Sequence, residues 1–448
     1  MKNRDEQRPP ANRYPRTLTM LSLIMAGETV FVPVFQPGRY FKSSLLSVFA
    51  IDEFQLGQLG AIYGITAMAS YFLGGPLADR YSPRILMAVS LAVTGLGGLY
   101  MSTIPGFGGL YLLFGFWGVS TILAFWAPLI RATREWGGRE SQGRAFGILD
   151  AGRGLCAALI AAAAAHAFAL MLGSTDAIDP SREAATLRAI LYAYAGLSFL
   201  AAAGVWFFVP DPEPTAPRAT ENPTGDGTGV VGRLWKALRS PAVWLQAMVI
   251  FAAYSTFKMF DNYGLYSEDA YGLTRADSAR LVAYLSFLRV VGALLAGWVA
   301  DRFLGISSSV GLCFALLLAN YALFLLVPPG AGLVWFMIAN MIVSAVAFFG
   351  LRGIYFALLE ESGVPRRLTG TAVGVICFVG FTPEIFIPLI TGWFIREARA
   401  AGDVLIGYDR IYWILLALSL LGLLSSAALR CLTRRRREVP PADPALPE

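Results

Sequence analysis

The sequence predicts an all-α membrane protein, with twelve transmembrane helices arranged as two six-helix, pseudo-symmetric halves. Three observations carry this prediction. Of the 448 residues, 56% are hydrophobic and only 15% charged, against roughly 25% charged in ordinary soluble domains, so a single soluble core could not bury so much apolar surface. The apolar residues fall into runs that reach the ~20 residues a spanning helix needs. A short motif near the end of the second run also returns at the matching place in the second half, 222 residues later (75 to 297, 79 to 301, 80 to 302).

The elements follow in chain order. Residues 1–16 are polar and proline-bearing and read as a cytoplasmic tail. The run at 17–46 is long and contains Glu28, so it reads as an uncleaved first span and not as a signal peptide. Spans at 55–78, 84–104, 108–130, 145–171 and 188–209 complete a first half, residues 17–209. Residues 210–240 are rich in Pro, Gly and Thr and read as a cytoplasmic linker. The end of the linker, "GRLWKALRS", fits a short amphipathic surface helix or a plain solvated connector. The second half, residues 241–430, holds spans at 241–263, 277–301, 307–327, 331–357, 368–395 and 408–430, and 431–448 form a tail.

Lys and Arg are concentrated in the N-terminus, the 79–84 and 131–144 loops, the linker, 365–367 and 434–437. All of these fall on one side of the predicted spans, which places both termini in the cytoplasm. Arg275, Arg280, Arg396 and Arg399 weaken the contrast on the other side. The net charge of +6 is thus spread through short loops, which fits topology better than a nucleic-acid stripe. Cys156, Cys313, Cys377 and Cys431 are scattered without a CxxC pair, and His166 is the one histidine, which argues against a disulfide frame or a metal site. No Walker loop, nucleophile elbow or ligand cluster is present, so the chain is expected to be neither an enzyme nor ATP-driven, with no cofactor.

The repeated motif reads "GGPLADR" (Gly74–Arg80) and "LAGWVADR" (Leu295–Arg302). Gly75 and Gly297 suit close helix approach. Asp79, Arg80 and Arg84, echoed by Asp301 and Arg302, can pair with neighbouring helices and act as a conformational gate; a topology anchor with a tight turn is the plainer reading. The motif resembles the signature loop of the major facilitator superfamily, and the resemblance covers residues 17–430. It implies a secondary transporter working by alternating access, the two halves rocking about a site near the bilayer midplane.

A narrower resemblance lies in "FQLGQLGAIYGITAMASYFLGGPLADRYSPR" (54–84), "FWAPLIRATREWGGRESQG" (125–143) and "LTGTAVGVICFVGF" (368–381). These look like the organophosphate:phosphate antiporters, which implies exchange of phosphate esters for phosphate. Ser82-Pro83 stands where many superfamily members have glycine, and the second motif lacks trailing basic residues, which implies a weaker second gate.

Ionisable residues inside a span cost at least ~2.5–3.5 kcal/mol each on insertion scales and mark function by default. In the first helix, eleven residues at about 100° each place Arg39 on the face of Glu28. Arg39 also matches the first-helix substrate arginine implied by the narrower resemblance; snorkelling at the outer mouth is the alternative. In helix seven Tyr254, Lys258 and Asp261 share a face, with Lys258 at or next to the resemblance's partner arginine and a self-neutralising Lys258–Asp261 pair as the alternative. In helix five Gly152 replaces the resemblance's phosphate-contacting histidine, flanked by Asp150 and Arg153 as an i, i+3 pair. Arg352 and Glu384 fall in spans of the second half, and Pro383 suggests a broken helix beside Glu384. Arg131 and Arg134 read as interface residues.

Arg39, Lys258, Tyr254, Arg352 and Arg153 are therefore the candidates for an anionic organic substrate, and Glu28, Asp150, Asp261 and Glu384 those for proton or charge balance. Phosphate or a proton is the expected coupling ion, the bilayer is the expected environment, and the chain is expected to act as a monomer. A proton-coupled symporter or exporter of another solute shares the fold. A non-transporting solute sensor is the alternative of a different class, and neither terminus supplies the long partner-binding tail that it calls for.

Overall fold

A computed structural model describes residues 16–138, 142–173, 179–210, 230–361 and 369–438. Most of the predicted tails, the linker at 211–229 and the 365–367 basic run lie outside these residues, as do the side chains of Asp79 and 434–437. The chain is helical: α1 (Arg16–Thr29), α2 (Val32–Tyr40), α3 (Lys42–Phe49), α4 (Glu53–Arg80), α5 (Pro83–Ser102), α6 (Phe107–Leu123), α7 (Trp126–Gly137), α8 (Gln142–Leu172), α9 (Pro180–Phe208) and α10 (Val230–Leu238). Then follow α11 (Pro241–Lys258), α12 (Tyr263–Tyr271), α13 (Arg275–Leu285), α14 (Leu288–Val299), α15 (Ile306–Leu326), α16 (Val334–Ile354), α17 (Leu358–Glu361), α18 (Thr369–Gly380), α19 (Pro383–Ala400) and α20 (Val404–Glu438).

Among the described residues, ten helical stretches are long and apolar enough to cross a membrane, or up to twelve if two bent pairs each count as one span. The first bent pair is α1 with α2, at 55°. The prolines of α2 explain it: Pro33 in its first turn cannot donate to a continuing α1, and Pro37 sits inside it. The second is α3 with α4, at 101°, where Ala50 takes a left-handed φ of 50°. Elsewhere local chemistry supports the long helices. Alanine, the best helix former, fills the middle of α8. At the start of α9 Asp179 accepts from the Ser181 amide at 2.9 Å ahead of Pro180. Large apolar side chains such as Leu112, Leu170, Leu326 and Trp335 remain exposed, as lipid contact allows.

The chain divides into two compact units. The first holds α1–α3, α4 from Gln58, α5–α9 and the Arg275–Ser286 segment; the second holds Asp52–Gly57, α10–α12 and the chain from Phe287 onward. In the first unit α5 packs along α9, where Gly98 brings the backbone against Ala195. Met20, Leu23, Leu91, Phe125, Leu129 and Val205 lie in its core. In the second, α14 packs along α16, where a Cβ on Gly292 would stand 2.8 Å from the Val346 carbonyl oxygen.

Two short segments cross over relative to the sequence repeat, and each is held by a buried carboxylate. In the first unit α13 packs on α8 and α2. There Arg275 pairs with Glu183 of α9, whose side chain is 4% exposed; Ser286 bonds to the Tyr40 hydroxyl at 2.7 Å and Tyr284 to His166 at 2.9 Å. In the second unit Arg399 of α19 binds Glu53 through Nε at 2.8 Å and Asp269 through Nη2 at 2.8 Å.

Removing one partner of a buried ion pair strands the other's charge, at about 3–5 kcal/mol. Arg275→Ala should therefore lower the thermal unfolding midpoint in detergent. Joint replacement of Glu183 by Gln and Arg275 by Met should restore most of the loss, since no net charge is then left buried. Equal midpoints for wild type and Arg275→Ala would show that the pair contributes nothing.

Candidate functional site

In the second unit the ionisable residues inside spans converge. Lys258 ends α11, and the chain then tightens into a 3-10 turn, Met259–Asn262, that carries Asp261. The α18–α19 span breaks at Phe381–Thr382, and Pro383 opens α19 with Glu384 in its first turn. A cation thus sits at a helix C-terminus and a carboxylate at a helix N-terminus, each favoured by the local dipole. Lys258 Nζ lies 2.8 Å from Asp261 Oδ2 and 3.2 Å from Glu384 Oε1. The Tyr254 hydroxyl, one turn back on α11, donates to Glu384 Oε2 at 2.5 Å. Lys258 and Glu384 have side chains 6% and 11% exposed.

Arg352 of α16 lies over the Phe257 ring at 4.1 Å and the Tyr254 ring at 5.6 Å, a cation–π arrangement. Phe348, Phe349 and Phe260 close around Phe257. Five residues singled out from the sequence, Tyr254, Lys258, Asp261, Arg352 and Glu384, therefore form one cluster inside one unit. Asp261 shares Lys258 with a second carboxylate, so the pair is part of a larger network.

In the first unit the span that the helical-face reading treats as one helix is bent by 55° between α1 and α2, so the residues from Glu28 to Arg39 do not form one uninterrupted helix. Glu28 lies in the last turn of α1 next to Arg153 of α8, with Oε2 3.7 Å from Arg153 Nη2. Arg153 Nε also donates to the Gly27 carbonyl at 2.9 Å, and its guanidinium stands 5.4 Å from the Trp126 ring centroid. Asp150 is the lesser partner of Arg153, at 4.0 Å and with its side chain 70% exposed. Arg39 lies half-buried in the last turn of α2, beside Tyr40.

Gly152, where the resemblance implies histidine, faces Ile24: a Cβ there would run into Cδ1 and stand 2.8 Å from Cγ1. Gly27 likewise clears the Arg153 Cδ. The glycines at these crossings set how closely α1 and α8 approach, which no sequence period reveals.

The two copies of the repeated motif differ. In the first, Arg80 is exposed, Arg84 lies over the Trp206 ring at 5.3 Å, and Arg131 donates to the Ala78 carbonyl at 2.6 Å and to Glu135 at 3.0 Å. The close approach is made by Gly74, 3.2 Å from the Leu123 oxygen by its would-be Cβ; the corresponding contacts of Gly75 and Asp79 lie outside the description. In the second, Asp301 and Arg302 are exposed on a widened π-type turn that ends at Gly305, φ 75°. Gly297 is not a close-approach position, because a Cβ there would meet nothing within 4 Å; Gly292 and Gly350 take that part. Glu361 then caps α15, accepting from the Ile306 amide at 3.0 Å and the Ser307 amide at 3.1 Å.

Among the described residues, ten to twelve membrane-length helical spans define a multi-pass membrane protein, and the family follows from the sequence match. Residues 17–388 match the family model of the Major Facilitator Superfamily, so the chain belongs to that superfamily of transporters. Inner membrane protein YihN of Escherichia coli (strain K12) is 25% identical over 94% of this chain and 97% of its own. A probable hexose phosphate transport protein of Chlamydia trachomatis is 30% identical over 33% of this chain and 32% of its own. Among solved structures, a bacterial homologue of the human lysosomal transporter Spinster, inward-facing and unoccupied, superposes with a TM-score of 0.67 at 15% identity, covering 95% of this chain and 98% of that one.

Installing the histidine at Gly152 should overpack the α1–α8 crossing. Gly152→His is expected to cost about 1–3 kcal/mol or more and to lower the unfolding midpoint, and adding Ile24→Ala should recover part of it. A histidine variant as stable as wild type would show that the crossing can open.

Proposed function

We propose that the chain is a secondary active transporter that moves a small organic anion across the cytoplasmic membrane by alternating access, with both termini in the cytoplasm. One observation carries the anion reading. A buried ammonium and a phenolic hydroxyl, Lys258 and Tyr254, converge on the two oxygens of one carboxylate, that of Glu384. Donors that hold an internal carboxylate in this way suit the oxygens of an organic anion equally well. Arg352 adds a second cation at the same cluster, and Arg153 and Arg39 supply cations in the first unit. The relatives named for hexose phosphate transport support a phosphate ester as the organic anion, and those named as inner membrane proteins support the location. Lysine in place of a forked guanidinium favours compact point-charge contact over bidentate recognition.

Purified protein reconstituted into proteoliposomes tests the reading. Arg39→Ala and Lys258→Gln should each abolish solute uptake while leaving membrane insertion and monodispersity intact; normal uptake by either variant removes that residue from the site. The solute class follows from a thermal-shift screen against organic phosphates, sulfonates and carboxylates, in which a stabilising anion is expected and silence across all three classes would defeat the reading. For the repeated motif, Asp79→Asn should slow turnover more than it weakens binding, the mark of a gate and not of a binding residue.

A further inference from the structure

We infer that Glu384 is the residue that couples transport to protons: the solute anion displaces its carboxylate from Lys258, and Glu384 takes up a proton as it is displaced. This rests on the anion-carrier reading above and specifies its coupling ion. Charge sets the requirement. In the contacts described, the Lys258 ammonium is shared by two carboxylates, those of Asp261 and Glu384, with the Arg352 guanidinium on the adjoining rings. Lys258 and Glu384 are almost wholly buried within spans, where an unbalanced charge is costly. An anion that takes over Lys258 adds a negative charge and takes the ammonium from a buried carboxylate, and a proton arriving with it offsets that charge.

Geometry picks Glu384 over Asp261 as the group that yields. Asp261 lies three residues beyond Lys258 on the same run of chain, makes the shorter contact at 2.8 Å and travels with the lysine. Glu384 reaches across from another helix at 3.2 Å, and it sits just past the α18–α19 break, where a small backbone adjustment can withdraw it. The groups that face Glu384 among the described residues are Tyr254 and Lys258 of α11; Asp261 of the following turn shares the lysine, and Arg352 of α16 lies over the tyrosine ring. Once displaced, the carboxylate gains one proton from solvent and no bond between heavy atoms changes. The charge lost by the neutral acid equals the charge brought by a singly charged anion. The phenolic oxygen of Tyr254 can then accept the new O–H, so the acid is not stranded.

The test is a proton inventory on the full-length protein in detergent, by titration calorimetry in buffers of different ionisation enthalpy. The probes are glucose 6-phosphate and its fixed-charge isostere glucose 6-sulfate. Wild type should take up about one proton per glucose 6-sulfate bound, with affinity falling about tenfold per pH unit wherever that uptake is complete. Glu384→Gln, which leaves Lys258 its Asp261 partner, should take up none and bind with no pH slope. Binding by wild type without proton uptake, or an unchanged slope in the variant, overturns Glu384 as the coupling residue while the anion reading stands. Failure of wild type to bind either probe at any pH overturns the coupling as stated together with the phosphate-ester form of the anion reading, whereas the anion reading itself falls only with silence across all three solute classes. The wild-type inventory decides even if the variant does not fold.

Discussion

A charge buried at membrane depth has to be neutralised where it lies, and the rest of the structure is arranged around meeting that demand. Water at the same distance would weaken the attraction between two unit charges many-fold relative to a low-dielectric interior. Lys258 meets the demand with two carboxylates, and Arg153 with Glu28, the Gly27 carbonyl and the face of Trp126. The helices break where these groups need to meet. α11 stops at Lys258 so that the following turn can present Asp261, and α19 starts at Pro383 so that Glu384 stands on an open helix N-terminus. Backbone interruptions inside a membrane are tolerated where protein or a wet cavity satisfies the freed groups, and here they coincide with the ionic cluster.

The same demand appears in opposite forms at the two copies of the repeated motif. At the first, a guanidinium from α7 satisfies a carbonyl in the last turn of α4. At the second, a carboxylate from α17 satisfies the first amides of α15. A cation at a helix C-terminus and an anion at a helix N-terminus are the two favourable pairings with the helix dipole. The two copies of the turn are thus closed in two complementary ways, and the absence of trailing basic residues after Arg302 goes with the anionic closure.

How much of this was legible in the sequence depends on whether the signal was local. The spans were readable from apolar run length, and the break before Glu384 from Pro383. The Tyr254, Lys258 and Asp261 stripe was readable because it lies within one short run of helix and turn, where spacing fixes the face. For Glu28 and Arg39 the spacing assumes an unbroken helix, and the prolines at 33 and 37 bend it, which no period announces. Arg153, which pairs with Glu28, comes from α8, and periodicity carries no information about which helix packs where. Gly152 and Gly297 look alike in sequence, yet one is pressed against Ile24 and the other faces open space. Glu53 and Glu183 sit just ahead of apolar runs, so nothing in the sequence marked them as buried.

The crossing segments bear on how the chain is made. Glu183 leaves the ribosome 92 residues ahead of Arg275, and Glu53 precedes Arg399 by 346. Through that interval the nascent first half carries carboxylates whose cations do not yet exist, and the translocon or a film of lipid headgroups has to shelter them. Assembly cannot be finished one repeat at a time, because each unit is completed only by a piece of the other repeat.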